Sequence, residues 1–513
     1  MFSRLLSVGG FTLLSRVTGF MRDILMAWIL GKGILSDAFI VAFMFPNYFR
    51  AIFGEGAINP AFLPRYAALQ ARGESRAAAQ FADQIFSWQM LAQLAILVAA
   101  LVFMPLIVRV IAPGFADNPG QLALTVGLAR ITFPYLILTL VAVQLSAMLN
   151  AIDRFWAAAA WSNFQNLGMI LTLICWRWFP NAAYAAAWGV LLGGLAQLFF
   201  MLWAARRDSL NLRIALPRWT PEVREFFLAL GAVTLGTATT LIAPLVDTVL
   251  ASFLEAGSRT ALYYGDRVNQ LPLGVLGIAV GTVLLPEMSN RLAKNDAAGA
   301  SAAQNNSAAM TLLLTLPFAA VFFAIPDTIM RAIFAHGAFD RSAAAHAAVA
   351  LAAYGVGLPA FALVRIVAST FYARHDTATP ARVTFAAFAA NIALKLILVW
   401  GLGLGIAGIA LGTAFGAWLN VALLVWLGRR GALLSIGDAF RRALLPIAIA
   451  AAGAGGGAYA GVLLMSRYPL VGGAWHDLAA LALAGVFGGG LYLGAVLAFR
   501  RTLPLGRLAG RSP

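Results

Sequence analysis

Predominantly apolar stretches approaching 20 residues recur along the whole chain, for example at positions 91–107, 131–149, 182–202 and 312–325. A helix needs roughly 20 residues to cross the hydrocarbon core of a bilayer. The stretches are rich in Leu, Ala, Gly, Phe and Trp and lack strict alternation, which favours spanning helices over a barrel. Hydrophobic residues make up 61% of the chain and charged residues 11%, against roughly 25% charged in a soluble domain. The expected fold class is therefore an all-α polytopic membrane protein. About fourteen transmembrane helices are expected, near 5–30, 34–57, 84–111, 122–149, 155–178, 183–205, 222–253, 260–288, 308–334, 344–373, 380–402, 405–428, 441–465 and 475–499. Arg16, Arg22 and Asp23 interrupt the first apolar segment, so it reads as a mature span and not a removable signal peptide. Cys175 is the only cysteine, which excludes an intramolecular disulfide and a Cys-rich metal site.

The net charge of +16 is a topological signal. With the N-terminus in the cytoplasm, 22 Lys and Arg fall in cytoplasmic segments, 6 on the opposite side and 8 inside the spans. That bias places both termini in the cytoplasm. A nucleic-acid partner is not expected, since no folded soluble domain presents a basic face. A repeat also emerges. Asp23 precedes Gly31, Gly33 and Pro46; Asp247 precedes Gly257 and Pro272. In each case an aspartate late in one span leads through a Gly-containing loop to a proline-containing span. The expected organisation is an N-terminal lobe over 1–220, a C-terminal lobe over 221–435, and two further helices with a cytoplasmic tail over 436–513. Paired repeats around a substrate site are a common transporter plan.

Ionisable groups at membrane depth cost several kcal/mol, about 2.5–3.5 on insertion scales, and mark function or pairing. The basic residues inside spans are Arg16, Arg22, Arg50, Arg130, Arg267, Arg331, Arg365 and Lys395. In Ser15-Arg16-Val17-Thr18-Gly19-Phe20-Met21-Arg22-Asp23, Arg16 and Asp23 share a helical face. Arg22 lies about 120° from Arg16 on an ideal helix, and a bend at Gly19 is one way to bring it to the same cavity. The bland alternative is a salt bridge to Asp23 that steadies the helix. Asn47 and Arg50 share a face in the second span, Pro46 is positioned to kink it, and Asp37 and Glu55 stand near its ends. In the eighth span Asp266, Arg267, Asn269 and Gln270 are four polar residues in five positions, with Asp266–Arg267 as a self-neutralising pair the alternative. Arg16, Arg22, Arg50 and Arg267 together would form a cationic trap, because guanidinium groups bind phosphate oxygens in bidentate fashion. Asp247, Asn391 and Lys395 form a second polar group. Asp247 and Asn391 are candidate cation ligands, but a structural pair of Asp247 with Lys395 is the preferred reading. The glycines at 453–457 point to close helix packing, and 206–224 reads as a solvated linker near anionic head groups.

These motifs resemble one family. Ser15-Arg16-x2-Gly19-Phe20-x-Arg22-Asp23, Asp37-Ala38-Phe39, Pro46-Asn47-x2-Arg50-x2-Phe53-x-Glu55-Gly56-Ala57, Tyr263-x2-Asp266-Arg267-x3-Leu271-Pro272-x-Gly274 and Gly277-Ile278-Ala279-x-Gly281-Thr282-x-Leu284-Leu285-Pro286 are similar to the MurJ (MviN) family of lipid II flippases. The resemblance covers essentially the whole chain. It implies membership of the multidrug/oligosaccharidyl-lipid/polysaccharide (MOP) exporter superfamily, with two six-helix lobes and two C-terminal helices that line a groove for the lipid tail. It implies that lipid II, undecaprenyl-diphosphate-MurNAc-pentapeptide-GlcNAc, is moved from the inner to the outer leaflet of the bacterial inner membrane by alternating access. It assigns Arg16, Arg22, Asp23, Arg50 and Arg267 to the essential cavity, with Asp37, Glu55 and Asp266 as further polar positions; Ser15 and Asn47 belong to the same motifs. Some members carry a sodium site in the C-terminal lobe, and Lys395 stands where an acidic ligand is expected.

The resulting expectations are a transporter and not an enzyme, a monomer, and no cofactor, with a coupling ion or the membrane potential as energy source. Membrane lipids and the cell-wall synthesis machinery are the other expected partners. The alternative is an exporter of another anionic lipid-linked sugar, or of a small molecule, in the same superfamily.

Overall fold

The computed structural model describes residues 2–51, 58–279, 284–431, 433–469, 471 and 475–503. Glu55 lies outside them, as do parts of two motifs quoted above. All regular structure among the described residues is helical. The chain divides into two compact units, one of residues 1–259 with 337–339 and one of 260–336 with 340–513.

The N-terminal unit contains α1 (Phe2–Leu30), α2 (Ile34–Phe49), α3 (Asn59–Ala71), α4 (Ser75–Ile111), α5 (Pro119–Thr132), α6 (Tyr135–Ala151), α7 (Phe155–Ala160), α8 (Ser162–Ile174), α9 (Ala182–Arg207) and α10 (Pro221–Ser252). Turn chemistry starts several of them. Asn118 and Thr220 accept hydrogen bonds from Gln121 N and Val223 N, while Asn181 accepts from Ala183 N and Tyr184 N. Such caps satisfy N–H groups that have no partner inside the helix. A glycine crossing sets the α8–α9 packing. A Cβ on Gly168 would stand 2.5 Å from Gly193 Cα, and one on Gly193 would stand 2.7 Å from Gln165 Cα. Only hydrogen at these positions lets the two backbones approach so closely.

The C-terminal unit contains α11 (Ser258–Ala279), α12 (Leu285–Ala293), α13 (Ala297–Ala324), α14 (Pro326–Phe334), α15 (Arg341–Tyr372), α16 (Ala378–Leu396), α17 (Gly405–Arg430), α18 (Asp438–Arg467) and α19 (His476–Ala498). Its core joins α13, α15, α17 and α18 through Leu312, Leu313, Ile366, Val421 and Ile447. Two of the α18 glycines pack closely: a Cβ on Gly455 would stand 3.1 Å from the Ala320 carbonyl, and one on Gly457 2.7 Å from the Phe487 carbonyl of α19.

Among the described residues, nine helices are long and apolar enough to cross a membrane. Neither α1 nor α11 is among them; these two carry Arg16, Arg22 and Asp23, and Asp266 and Arg267. The charges that mark a site also lower the hydropathy by which a span is recognised.

Three expectations change. The span expected at 308–334 is two helices: α13 begins earlier, at Ala297, and ends at Ala324, and Pro326 opens α14. Proline suits a first helical turn but cannot supply the N–H that continuation requires. Arg331 therefore sits on a short helix, 3.1 Å from Asp327 and 3.7 Å from Asp477 of α19, and is not a lone charge within a span. The segment expected at 155–178 is broken at Trp161 into α7 and α8. Finally, the span expected at 122–149 is broken at Phe133–Pro134 into α5 and α6.

The two aspartate–glycine–proline stretches adopt like local forms. Gly31, Gly33 and Gly257 all have positive φ, at 67°, 131° and 94°, and the helices that follow carry internal Pro46 and Pro272. A side chain at Gly257 would be strained by that backbone.

Candidate functional site

In the N-terminal unit, α1 packs against α7 and α8, and the contact with α8 is polar. Arg22 is 8% exposed and Asp23 is 3% exposed. Arg22 Nε and Nη2 donate to Asp23 Oδ1 at 3.1 and 2.7 Å, and Arg22 Nη1 donates to Asn166 Oδ1 at 3.0 Å. The Asn166 amide reaches back from α8 to the Ser15 carbonyl and Thr18 Oγ1, both at 3.1 Å. Beside it Asn163 Oδ1 accepts from Thr18 Oγ1 at 3.3 Å, and Ser162 Oγ donates to Ser15 Oγ at 3.0 Å. Arg22 thus enters the protein by pointing at α8 along a continuous helix. Arg16 is on the exposed side of α1, and its face-mate Asp23 is engaged by Arg22.

The amides of α8 were not anticipated, although the sequence carried the signal. Ser162, Asn163, Gln165 and Asn166 are four polar residues in five positions within an apolar segment, the same density that singled out Asp266–Gln270. Gln165 Oε1 accepts from Tyr135 Oη at 3.0 Å, which extends the polar seam to α6.

Asn47 and Arg50 come together at the end of α2. Arg50 Nη2 and Nε donate to Asn47 Oδ1 at 2.9 and 3.3 Å. The helix widens to a π-type turn at Arg50–Ala51, one turn after Pro46. Such turns place side chains off the regular helical stripe and recur at functional sites. Asp37 is 2% exposed, and its Oδ2 accepts a 2.6 Å hydrogen bond from Gly257 N. It holds the turn after α10. Asp247 is half-buried near the end of α10.

In the C-terminal unit, the Arg267 guanidinium lies 4.7 Å from the centroid of the Tyr263 ring one turn back on α11, within cation–π range. Gln270 donates to Asp266. Asn269 is 1% exposed, and its Oδ1 has no hydrogen-bond partner among the described residues. Asn391 and Lys395 sit one turn apart on α16, buried against Gly416 and Gly412 of α17. A buried ammonium one turn from Asn391 does not fit a cation site. Among the described residues no group of three His, Cys, Asp or Glu side chains is placed to hold a metal ion.

The fold resembles that of solved membrane transporters. A solved structure described as a lipid II flippase MurJ in an inward-closed conformation matches with a TM-score of 0.78 at 23% identity, covering 96% of this chain and 99% of that one. An inward-facing MATE-family multidrug transporter of the MOP superfamily matches with a TM-score of 0.69 at 14% identity, over 83% and 98% of the two chains. The family itself follows from sequence. The family model described as "Lipid II flippase MurJ" matches residues 26–472. A relative from Rhizobium tropici, named a probable lipid II flippase MurJ, is 40% identical over 84% of this chain and 81% of its own length. A lipid II flippase MurJ from Burkholderia cenocepacia is 31% identical over 84% of each. The chain belongs to the lipid II flippase MurJ family and is an integral membrane protein.

Proposed function

We propose that this protein flips lipid II from the inner to the outer leaflet of the bacterial cytoplasmic membrane by alternating access, with both termini in the cytoplasm. The observation that carries the reading is the buried Arg22–Asp23–Asn166 cluster, in a chain matched by the lipid II flippase family over residues 26–472. Two nitrogens of Arg22 face one carboxylate oxygen and the third faces a neutral amide, so a guanidinium is held preorganised at little conformational cost. Arg16, Arg22, Arg50 and Arg267 bind the substrate diphosphate during the transport cycle, with Asp23 and Asn166 orienting Arg22. Diphosphate offers the oxygens that guanidinium groups pair with bidentately. The functional division is two lobes, 1–220 and 221–435, with 436–513 appended. The protein acts as a monomer, uses no cofactor, and draws on a coupling ion or on the membrane potential acting on its excess positive charge.

Depletion complementation tests this. Arg22→Ala and Arg267→Ala, expressed at normal levels, should fail to restore growth, and lipid-linked precursor should accumulate. Full rescue by both variants overturns the diphosphate assignment.

A further inference from the structure

Leu192, Phe199 and Trp203 of α9 are 47%, 66% and 53% exposed, and exposed Arg206 follows them. At 3.6 residues per turn these four positions fall within about 60° of one another. They form one stripe on a helix long and apolar enough to cross a membrane. From Leu192 to Arg206 the stripe runs about 21 Å at ~1.5 Å per residue. A bilayer with its headgroups is ~40–45 Å thick, so one leaflet is about 21 Å of it. The stripe thus has the length and the polarity of one phospholipid: apolar along the tail and basic at the head.

At the basic end lies a small cavity of about 150 Å³. It is lined by Arg154 and Trp156 at the start of α7 and by Arg207 and Asp208 at the end of α9. Arg154 Nε donates to Asp208 Oδ1 at 2.9 Å, so the one carboxylate of the lining is engaged. The Arg207 guanidinium lies 6.0 Å from the centroid of the Trp203 ring and has no ion pair among the described residues. The cavity therefore keeps one uncompensated positive charge. Asp153 and Arg206, each next in sequence to a lining residue, stand outside the lining and offset each other. Trp156 packs edge-on against Trp203 and Phe200, at centroid distances of 6.1 and 5.8 Å. Tryptophan collects at the headgroup level of a bilayer, and guanidinium groups there pair with phosphate oxygens.

We propose that Arg154, Arg207 and Trp156 form a binding site for the headgroup of an anionic phospholipid, whose acyl chains lie along Leu192, Phe199 and Trp203. A singly charged phosphodiester matches the single uncompensated guanidinium. A diphosphate carries more charge than the cavity neutralises, and a zwitterionic headgroup brings an ammonium that the cavity repels. No residue of this site belongs to the α1–α8 seam, and its occupancy does not depend on the flippase reading.

The test uses the full-length protein in liposomes with two photoactivatable lipids. One is a phosphatidylglycerol carrying a diazirine on its headgroup; the other is a phosphatidylcholine carrying the same group. Adducts are mapped by peptide mass spectrometry. The phosphatidylglycerol probe is expected to label 154–156 and 203–208, and the phosphatidylcholine probe to leave them largely unlabelled. Unlabelled phosphatidylglycerol should compete the labelling away at concentrations where polyprenyl diphosphate and inorganic phosphate do not. Arg207→Gln keeps the Arg154–Asp208 pair and with it the local fold, and should cut the labelling roughly fivefold, the worth of one basic residue beside an anionic lipid. Arg429→Gln, in the C-terminal unit, should leave it unchanged. Equal labelling by the two lipids overturns the inference, as does labelling that survives Arg207→Gln or falls equally in Arg429→Gln. Competition by polyprenyl diphosphate or by inorganic phosphate as strong as by phosphatidylglycerol assigns the cavity to that anion and overturns the phospholipid.

Discussion

Asp23→Ala removes the carboxylate that faces two nitrogens of Arg22, whose side chain is only 10% exposed. The guanidinium is left in a nearly dry site with the Asn166 amide. Breaking one partner of a buried ion pair costs about 3–5 kcal/mol, whereas removing both charges costs far less. The converse variant, Arg22→Ala, strands a carboxylate whose side chain is 4% exposed and should cost a comparable amount. In Arg22→Ala/Asp23→Ala most of that loss should return, giving a coupling energy of several kcal/mol where independent sites would add to within about 0.5 kcal/mol. The readout is thermal unfolding in detergent, followed by intrinsic fluorescence. Each single variant should lower the transition by roughly 10 °C, taking a few degrees per kcal/mol for a unit of this size. Activity separates structure from function. The double variant should be well folded yet fail to support growth, because the substrate contact is gone. A double variant no more stable than either single variant would refute the pair as the source of the cost. A stable, fully active double variant would refute the role of Arg22 in binding diphosphate.

Arg22→Lys, measured by complementation, should be impaired despite keeping the charge, because an ammonium cannot span Asp23 and Asn166 as the planar fork does. Asn166→Ala should destabilise the protein by ~2 kcal/mol, the usual worth of a hydrogen bond to a charged group, and this should appear as a lower unfolding temperature. Gly193→Ala drives a Cβ to 2.7 Å from Gln165 Cα and should cost roughly 1–3 kcal/mol through overpacking. Gly456→Ala, where a Cβ meets nothing within 4 Å, should leave the unfolding temperature unchanged. Asp37→Ala orphans the Gly257 N–H at a buried site and should cost about 2 kcal/mol, read in the same assay.

The positions of most helices were legible because hydrophobic length is a local property. The break within 308–334 was legible too, since Pro326 marks a helix start, but the apolar run on either side of it masked the proline. The partners of the polar residues were not legible. Arg22 and Asn166 are 144 positions apart, and nothing in either segment says that α1 and α8 meet. The angular argument on α1 correctly set Arg22 apart from Arg16. It could not say which side was buried, because that depends on the neighbouring helix. The Asp37–Gly257 bond is of the same kind: an aspartate and a turn 220 positions apart, related only once the fold is formed.

The most direct test of the central claim is leaflet exchange of lipid II by purified protein in sealed liposomes, scored by how much precursor becomes accessible at the opposite face. The parent protein should accelerate exchange, while Arg22→Ala and Arg267→Ala, folded and equally reconstituted, should leave it at the protein-free rate. Exchange at the parent rate in both variants would contradict the account.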